Sequence, residues 1–184
     1  MRRIPLVVWF LVPTILILGV GIWFFTRNQA VLGEKTDSDK PLAVSKNVEG
    51  LQEFPIVSRT HIASGTKGTN YNSNPPTSGD HWPAAAKNGV YDSQLQDEQI
   101  IHNLEHGHVW ISYKPDVSQE IKDKLKEIVE KDNWKVLLEP RAENDAKIVL
   151  VSWGRLLKMD EPDWGKVEDF IKTYRDRGPE QTPE

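Results

Sequence analysis

The sequence predicts an α+β domain in which a small sheet of about three strands is covered by helices, preceded by a long ordered loop and one N-terminal transmembrane helix. Three observations carry this reading. Residues 4–25 contain no charged side chain, and the stretch from Pro55 to Pro83 is crowded with turn formers. Beyond residue 97, apolar residues recur with helical spacing in some segments and as short β-rich runs in others.

The apolar run Ile4–Phe25 reads IPLVVWFLVPTILILGVGIWFF. As a helix it spans roughly 33 Å, enough to cross a hydrocarbon core. Pro13, Gly19 and Gly21 weaken a soluble helix but are tolerated in a membrane. Trp23, Phe24 and Phe25 fall where an interfacial aromatic belt sits. Arg2 and Arg3 precede the run, so the positive-inside rule leaves the N-terminus in the cytoplasm, although Arg27 on the far side narrows the asymmetry. The rival reading is a cleaved signal peptide. Its apolar region runs only about 7–15 residues, and Asn28-Gln29-Ala30 is a poor cleavage site. The expected organisation is therefore a single-pass protein of the cell membrane with the lipid bilayer as its first partner. Residues 1–25 form the anchor, 26–54 a flexible polar stalk, 55–179 an extracytoplasmic domain and 180–184 a loose tail.

Composition narrows the function classes. The 184 residues include no cysteine, which excludes disulfides, thiolate metal sites, thiol catalysis and a lipid-modified cysteine anchor. The formal charge is −4; without Arg2 and Arg3, 21 basic residues stand against 27 acidic ones, or −6. No basic stripe appears, so a nucleic-acid partner is not expected.

The elements follow in order. The segment SGTKGTNYNSNPPTSGDHWP is too rich in Pro and Gly for a regular element, but Pro75-Pro76 and Thr77-Ser78-Gly79 favour one restricted conformation, hence an ordered loop. Asp97 to His106 reads as a short helix, with Gly107 as its C-terminal stop. His108 to Tyr113 reads as a strand. Val117, Ile121, Leu125, Ile128 and Val129 mark an amphipathic helix over 117–132, with Asp116 and Gln119 resembling a capping box. Two strands follow, Trp134 to Leu138 and Ala146 to Trp153. A last helix starts near Pro162 and buries Trp164, Val167, Phe170, Ile171 and Tyr174.

The chemistry concentrates in the histidines. All five, His61, His81, His102, His106 and His108, fall within residues 61–108. His102 and His106 are four apart on the expected helix and so share a face, the spacing by which two imidazoles chelate one ion. His81 on the ordered loop supplies a third ligand and His61 a fourth; Glu105 or Asp80 completes or orients the set. His108, beyond the helix-breaking Gly107, is the weakest candidate. Imidazole ligands suit zinc, copper, nickel and iron alike, and two methionines give no soft copper(I) signature. The expected cofactor is accordingly a transition metal such as copper or zinc. Two other readings stand beside it. His102-Asn103-Leu104-Glu105-His106 matches H-x-x-E-H, which makes Glu105 the catalytic residue of a metal-dependent hydrolase. Alternatively, the histidines cap a helix end and hold the loop by hydrogen bonds, in a purely structural or partner-binding module.

The run Tyr71 to Trp82 (YNSNPPTSGDHW), then Gly89-Val90-Tyr91, then His102 to Gly107 (HNLEHG), resembles the bacterial family catalogued as "domain of unknown function 3105". Ser152 to Leu156 and Tyr174 to Pro179 are similar to it as well. The resemblance covers about residues 55–179. It implies a membrane-anchored α+β domain, with histidines at the positions of His61, His81, His102 and His106, and usually glycine where this chain has His108. It implies no particular reaction.

Overall fold

The computed structural model describes residues 48–180 and 182. The transmembrane helix expected at Ile4–Phe25, and the stalk up to residue 47, lie outside the described residues. Among the described residues no helix is long and apolar enough to cross a membrane.

The α+β class holds, but the sheet has six strands rather than about three. They are β1 (Gln52–Glu53), β2 (Gly89–Val90), β3 (Val109–Tyr113), β4 (Val136–Pro140), β5 (Ile148–Ser152) and β6 (Arg155–Met159). The helices are α1 (Asp97–Glu105), α2 (Gln119–Lys131) and α3 (Trp164–Tyr174). The spatial order is β1-β6-β5-β3-β4-β2. Strands β3, β4 and β2 run parallel, while β5 is antiparallel to β3 and β6, and β1 is antiparallel to β6. The additional strands escape periodicity for two reasons. Strands β1 and β2 are two residues long, too short to show alternation. Strand β6 carries Leu156 and Leu157 side by side, one to each covered face of the sheet, and a strand buried on both faces does not alternate.

The faces are filled by different elements. Val109 and Ile111 of β3, with Val136, Leu138, Ile148 and Leu150, pack under Leu125 and Val129 of α2 and Val167, Phe170 and Tyr174 of α3. On the other face Trp110, Val149, Val151, Trp153 and Leu156 pack under Ile100, Ile101 and Leu104 of α1. The parallel pair β3 and β4 requires a crossover, which α2 supplies.

Helix starts differ from the sequence reading by a residue or two. Ser118, rather than Asp116, caps α2: its Oγ accepts from the Ile121 N–H at 3.4 Å. Asp163 caps α3 by accepting from the Lys166 N–H at 3.0 Å, so Pro162 precedes the cap. Residues 48–54, expected to end the stalk, join the sheet. Val48 is buried and its N–H donates to the Tyr174 hydroxyl, and β1 pairs with β6.

The Pro/Gly-rich loop is packed, as its composition predicts. Pro75 to Gly79 are buried. The Thr77 N–H donates to Ser73 Oγ, the Gly154 N–H to the Thr77 carbonyl, and the Val57 N–H to Ser78 Oγ. These bonds satisfy the backbone that a loop leaves without a ladder, and they lay His81 against the C-terminal half of α1.

Candidate metal centre

Two backbone features set the loop histidines. His61 and His81 face each other across an isolated parallel bridge, in which the Ile62 N–H donates to the His81 carbonyl at 2.8 Å and the His81 N–H to the Thr60 carbonyl at 3.0 Å. Helix α1 contributes His102 and, one turn on, Glu105. The ring centroids of His61 and His81 lie 4.8 Å apart, those of His61 and His102 5.1 Å, and those of His81 and His102 5.3 Å. One ligand atom from each of His61, His81, His102 and Glu105 lies within 4.8 Å of all the others. With metal–nitrogen bonds of about 2 Å, a single ion is within reach of all four after small side-chain movement. His81 is fully buried, Glu105 and His102 nearly so, and the His61 side chain is 49% exposed, so the cluster opens to solvent on the His61 side.

The hydrogen bonds around the cluster are directional. His81 Nδ1 lies 2.7 Å from the Gly79 carbonyl oxygen, and its Nε2 lies 3.1 Å from Glu105 Oε2. Both neighbours are acceptors, whereas a neutral imidazole has one donor. Arg59 Nε donates to Glu105 Oε1 at 2.7 Å, which leaves Oε2 turned towards His81 and His61. Burial alone would raise the Glu105 carboxyl, but hydrogen bonds and charge from His81 and Arg59 outweigh it and hold the group down at about 2. Glu105 is therefore a carboxylate throughout the physiological range. The His102 imidazole is pushed below its usual range by burial, then by His106, His81 and His61, against the pull of Glu105. Its Nδ1 is buried and has no hydrogen-bond partner. A buried polar atom in that position calls for a partner.

The sequence-expected residues divide. His61, His81 and His102 come together as anticipated, and Glu105 rather than Asp80 joins them; Asp80 Oδ1 accepts from Ser58 Oγ at 2.6 Å instead. His106 remains next to His102, with ring centroids 4.5 Å apart, but belongs to an adjoining group with Glu105 and Glu180. Its Nε2 is 3.6 Å from Glu180 Oε2, and its Nδ1 is 3.3 Å from Thr182 Oγ1. His108 is fully buried just before β3, outside both groups. Sequence reasoning missed Arg59, Glu180 and Thr182. No motif marks Arg59, and the other two fall where a loose tail is expected.

The tail is drawn in by a close approach of two glycines. Gly107 ends α1 with φ +84°, a left-handed conformation that suits glycine. A Cβ there would lie 2.8 Å from the Asp176 Cα, and one on Gly178 would lie 2.1 Å from the Glu105 carbonyl oxygen. The Asp176 N–H donates to the Gly107 carbonyl and the Glu180 N–H to that of Glu105. Lys135, fully buried, donates to the His106 carbonyl, the Asp176 carboxylate and the Thr182 carbonyl at 3.0, 2.7 and 3.0 Å. All three ammonium protons are thereby used.

A family model described as "Protein of unknown function (DUF3105)" matches residues 61–184. The chain belongs to this family. The span takes in His61, His81, His102, Glu105, His106 and Glu180; Arg59 lies two residues before it. No curated protein and no solved structure matches the chain. The DUF3105 description carries no activity, and the chemistry must be argued from the side chains themselves.

Proposed function

We propose that this domain holds one divalent transition-metal ion, copper or zinc, between His61, His81, His102 and Glu105, on the extracytoplasmic side of a membrane to which Ile4–Phe25 anchors the chain. The observation that carries the reading is His81. Its Nδ1–H donates to the Gly79 carbonyl, the arrangement by which a protein fixes the tautomer of a metal-ligating imidazole and frees Nε2 as the ligand atom. That Nε2 then faces a carboxylate oxygen at 3.1 Å, an approach satisfied by a shared proton or by a metal ion bound to both atoms. The buried His102 Nδ1 without a partner and Glu105, whose Oε1 is held by Arg59 so that Oε2 faces the histidines, support the same reading. The anchor and its direction rest on the uncharged run and the Arg2-Arg3 pair.

A hydrolase built on H-x-x-E-H is less well supported. That mechanism needs the glutamate as a base. Glu105 is instead tied to Arg59 at 2.7 Å and turned towards the histidines as a candidate ligand, which leaves no free carboxylate oxygen for a water.

The test is elemental analysis of the purified chain after loading with zinc or copper and desalting, paired with thermal unfolding. One equivalent is expected, with a rise in Tm; at a free metal concentration 100 times Kd, the added stability is about 2.7 kcal/mol. The His81→Ala/His102→Ala variant loses both effects. His61→Ala, at a half-exposed position, keeps the fold and weakens binding. A wild-type protein whose Tm no divalent ion raises would overturn the proposal.

A further inference from the structure

Beside the four-ligand cluster lies a second place where negative charge converges. Glu105, His106 and Glu180 bring one ligand atom each within 4.8 Å of one another. The position is held firmly: Gly178 packs on the end of α1, the Glu180 N–H is bonded to the Glu105 carbonyl, and Lys135 ties the His106 carbonyl to Asp176 and Thr182. Thr182 faces His106 Nδ1, so Nε2 is the atom turned towards Glu180. A cation already bridges the two carboxylates. Arg59 donates through Nε to Glu105 Oε1 at 2.7 Å and through Nη2 to Glu180 Oε1 at 2.6 Å.

We infer that Glu105, His106 and Glu180 form a second metal position, and that the Arg59 guanidinium occupies it in the native protein and so limits the centre to one ion. This rests on the metal reading of the neighbouring cluster. The chemistry is a competition between cations. Two carboxylates and an imidazole make a donor set suited to zinc or copper, and Glu105 offers one oxygen to each side, as a bridging carboxylate does. Guanidinium is charged at every accessible pH, and its planar fork meets both carboxylates at once. With that charge in place, a second dication would sit a few ångströms from both Arg59 and the first ion, where like-charge repulsion is large. Without it, Glu105 and Glu180 are left with one positive partner fewer, and a metal ion takes its place.

The experiment counts ions. Wild type, R59M, R59Q and R59M/E180Q are titrated with zinc and with copper, and the bound metal is measured after desalting. Wild type takes one equivalent. R59M and R59Q take two, and R59M/E180Q returns to one. R59Q retains a donor for Glu105 and covers the case in which R59M does not fold, with near-UV circular dichroism as the check on each variant. One equivalent in both R59M and R59Q, or two in wild type, would overturn the inference while leaving the first site intact. No bound metal in wild type would instead overturn the reading on which it rests.

Discussion

The two faces of the sheet are built by the same strands, yet they differ in kind. Under α2 and α3 the covering is almost wholly apolar; its polar exceptions, Ser152 and Arg155, sit at the turn between β5 and β6, where the Arg155 guanidinium lies 5.2 Å from the Tyr174 ring. Under α1 and the Pro/Gly loop the apolar cluster is joined by buried Thr77, Ser78, His81, Glu98, His102, Asn103, Glu105, Ser112, Glu139, Arg141 and Asn144. Buried polar groups cost stability unless they are paired. Most here are paired: Arg141 binds both oxygens of Asp97 and also reaches Asn74 and Asn144, and Ser112 bonds Asn144. His102 Nδ1 is left without a partner. On the proposed reading one face holds the domain together and the other carries the metal ligands, a division in which broken local rules gather at functional sites.

The sharpest way to break this comparison is to damage the apolar face. Phe170, fully buried beside Tyr174, is expected to cost about 3–5 kcal/mol when changed to Ala, read by denaturant unfolding. Metal content per folded molecule should not change. A coupled loss of metal would show that the faces are not independent.

Next in size is Glu139, fully buried on the chemical face. Burial raises its carboxyl to about 8; the Leu95 N–H works against the shift and the Asp97 charge adds to it. In the unfolded chain the group titrates near 4.5. The folded state therefore keeps a proton that the unfolded state has lost, and the group's contribution to stability, full below about pH 4.5, falls as pH rises to about 8. Glu139→Gln should match wild type at pH 4 and exceed it by about 2–5 kcal/mol at pH 9. Equal stabilities at both pH values would remove Glu139 from the list of strained groups.

Smaller effects belong to the proposed metal cluster. Glu105→Gln is expected to weaken metal binding on the order of 10- to 100-fold, measured by competition with a chelating dye. Metal affinity of the wild type should fall below about pH 6, because imidazole ligands must be neutral. The lowered His102 proton affinity delays that loss, since protons compete less well for its ring. Affinity unchanged down to pH 4.5 would exclude imidazole ligation. The smallest effect is expected for Asp80→Asn, which leaves the cluster untouched and alters only the bond with Ser58; its stability should stay within about 0.5 kcal/mol of wild type.

How much of this was legible in the sequence follows from the range of the interactions. The helices were readable, since Leu125 and Val129, or Val167, Phe170 and Tyr174, repeat at the helical period and that period is local. Three of the four interior strands, β3, β4 and β5, were readable from their β-rich runs. The edge strands were not, because a two-residue strand has no pattern, and β6 was hidden because RLLKM contains no β-branched or aromatic residue. Within the site, the approach of His61, His81 and His102 followed from their clustering in the chain. The partition between Glu105 and His106 did not. It is set by Glu180 and Thr182, more than 70 residues beyond α1, and no spacing within HNLEHG carries that information.

The glycine contact between residues 107 and 178 has a consequence for the order of events during synthesis. Every candidate ligand of the first cluster has been added to the chain by residue 105. The last turn of α1, which aims Glu105, is not seated until the chain has grown past residue 178. A nascent chain displays its histidines long before they are arranged, so on the proposed reading capture of an ion belongs to the finished domain rather than to the growing one.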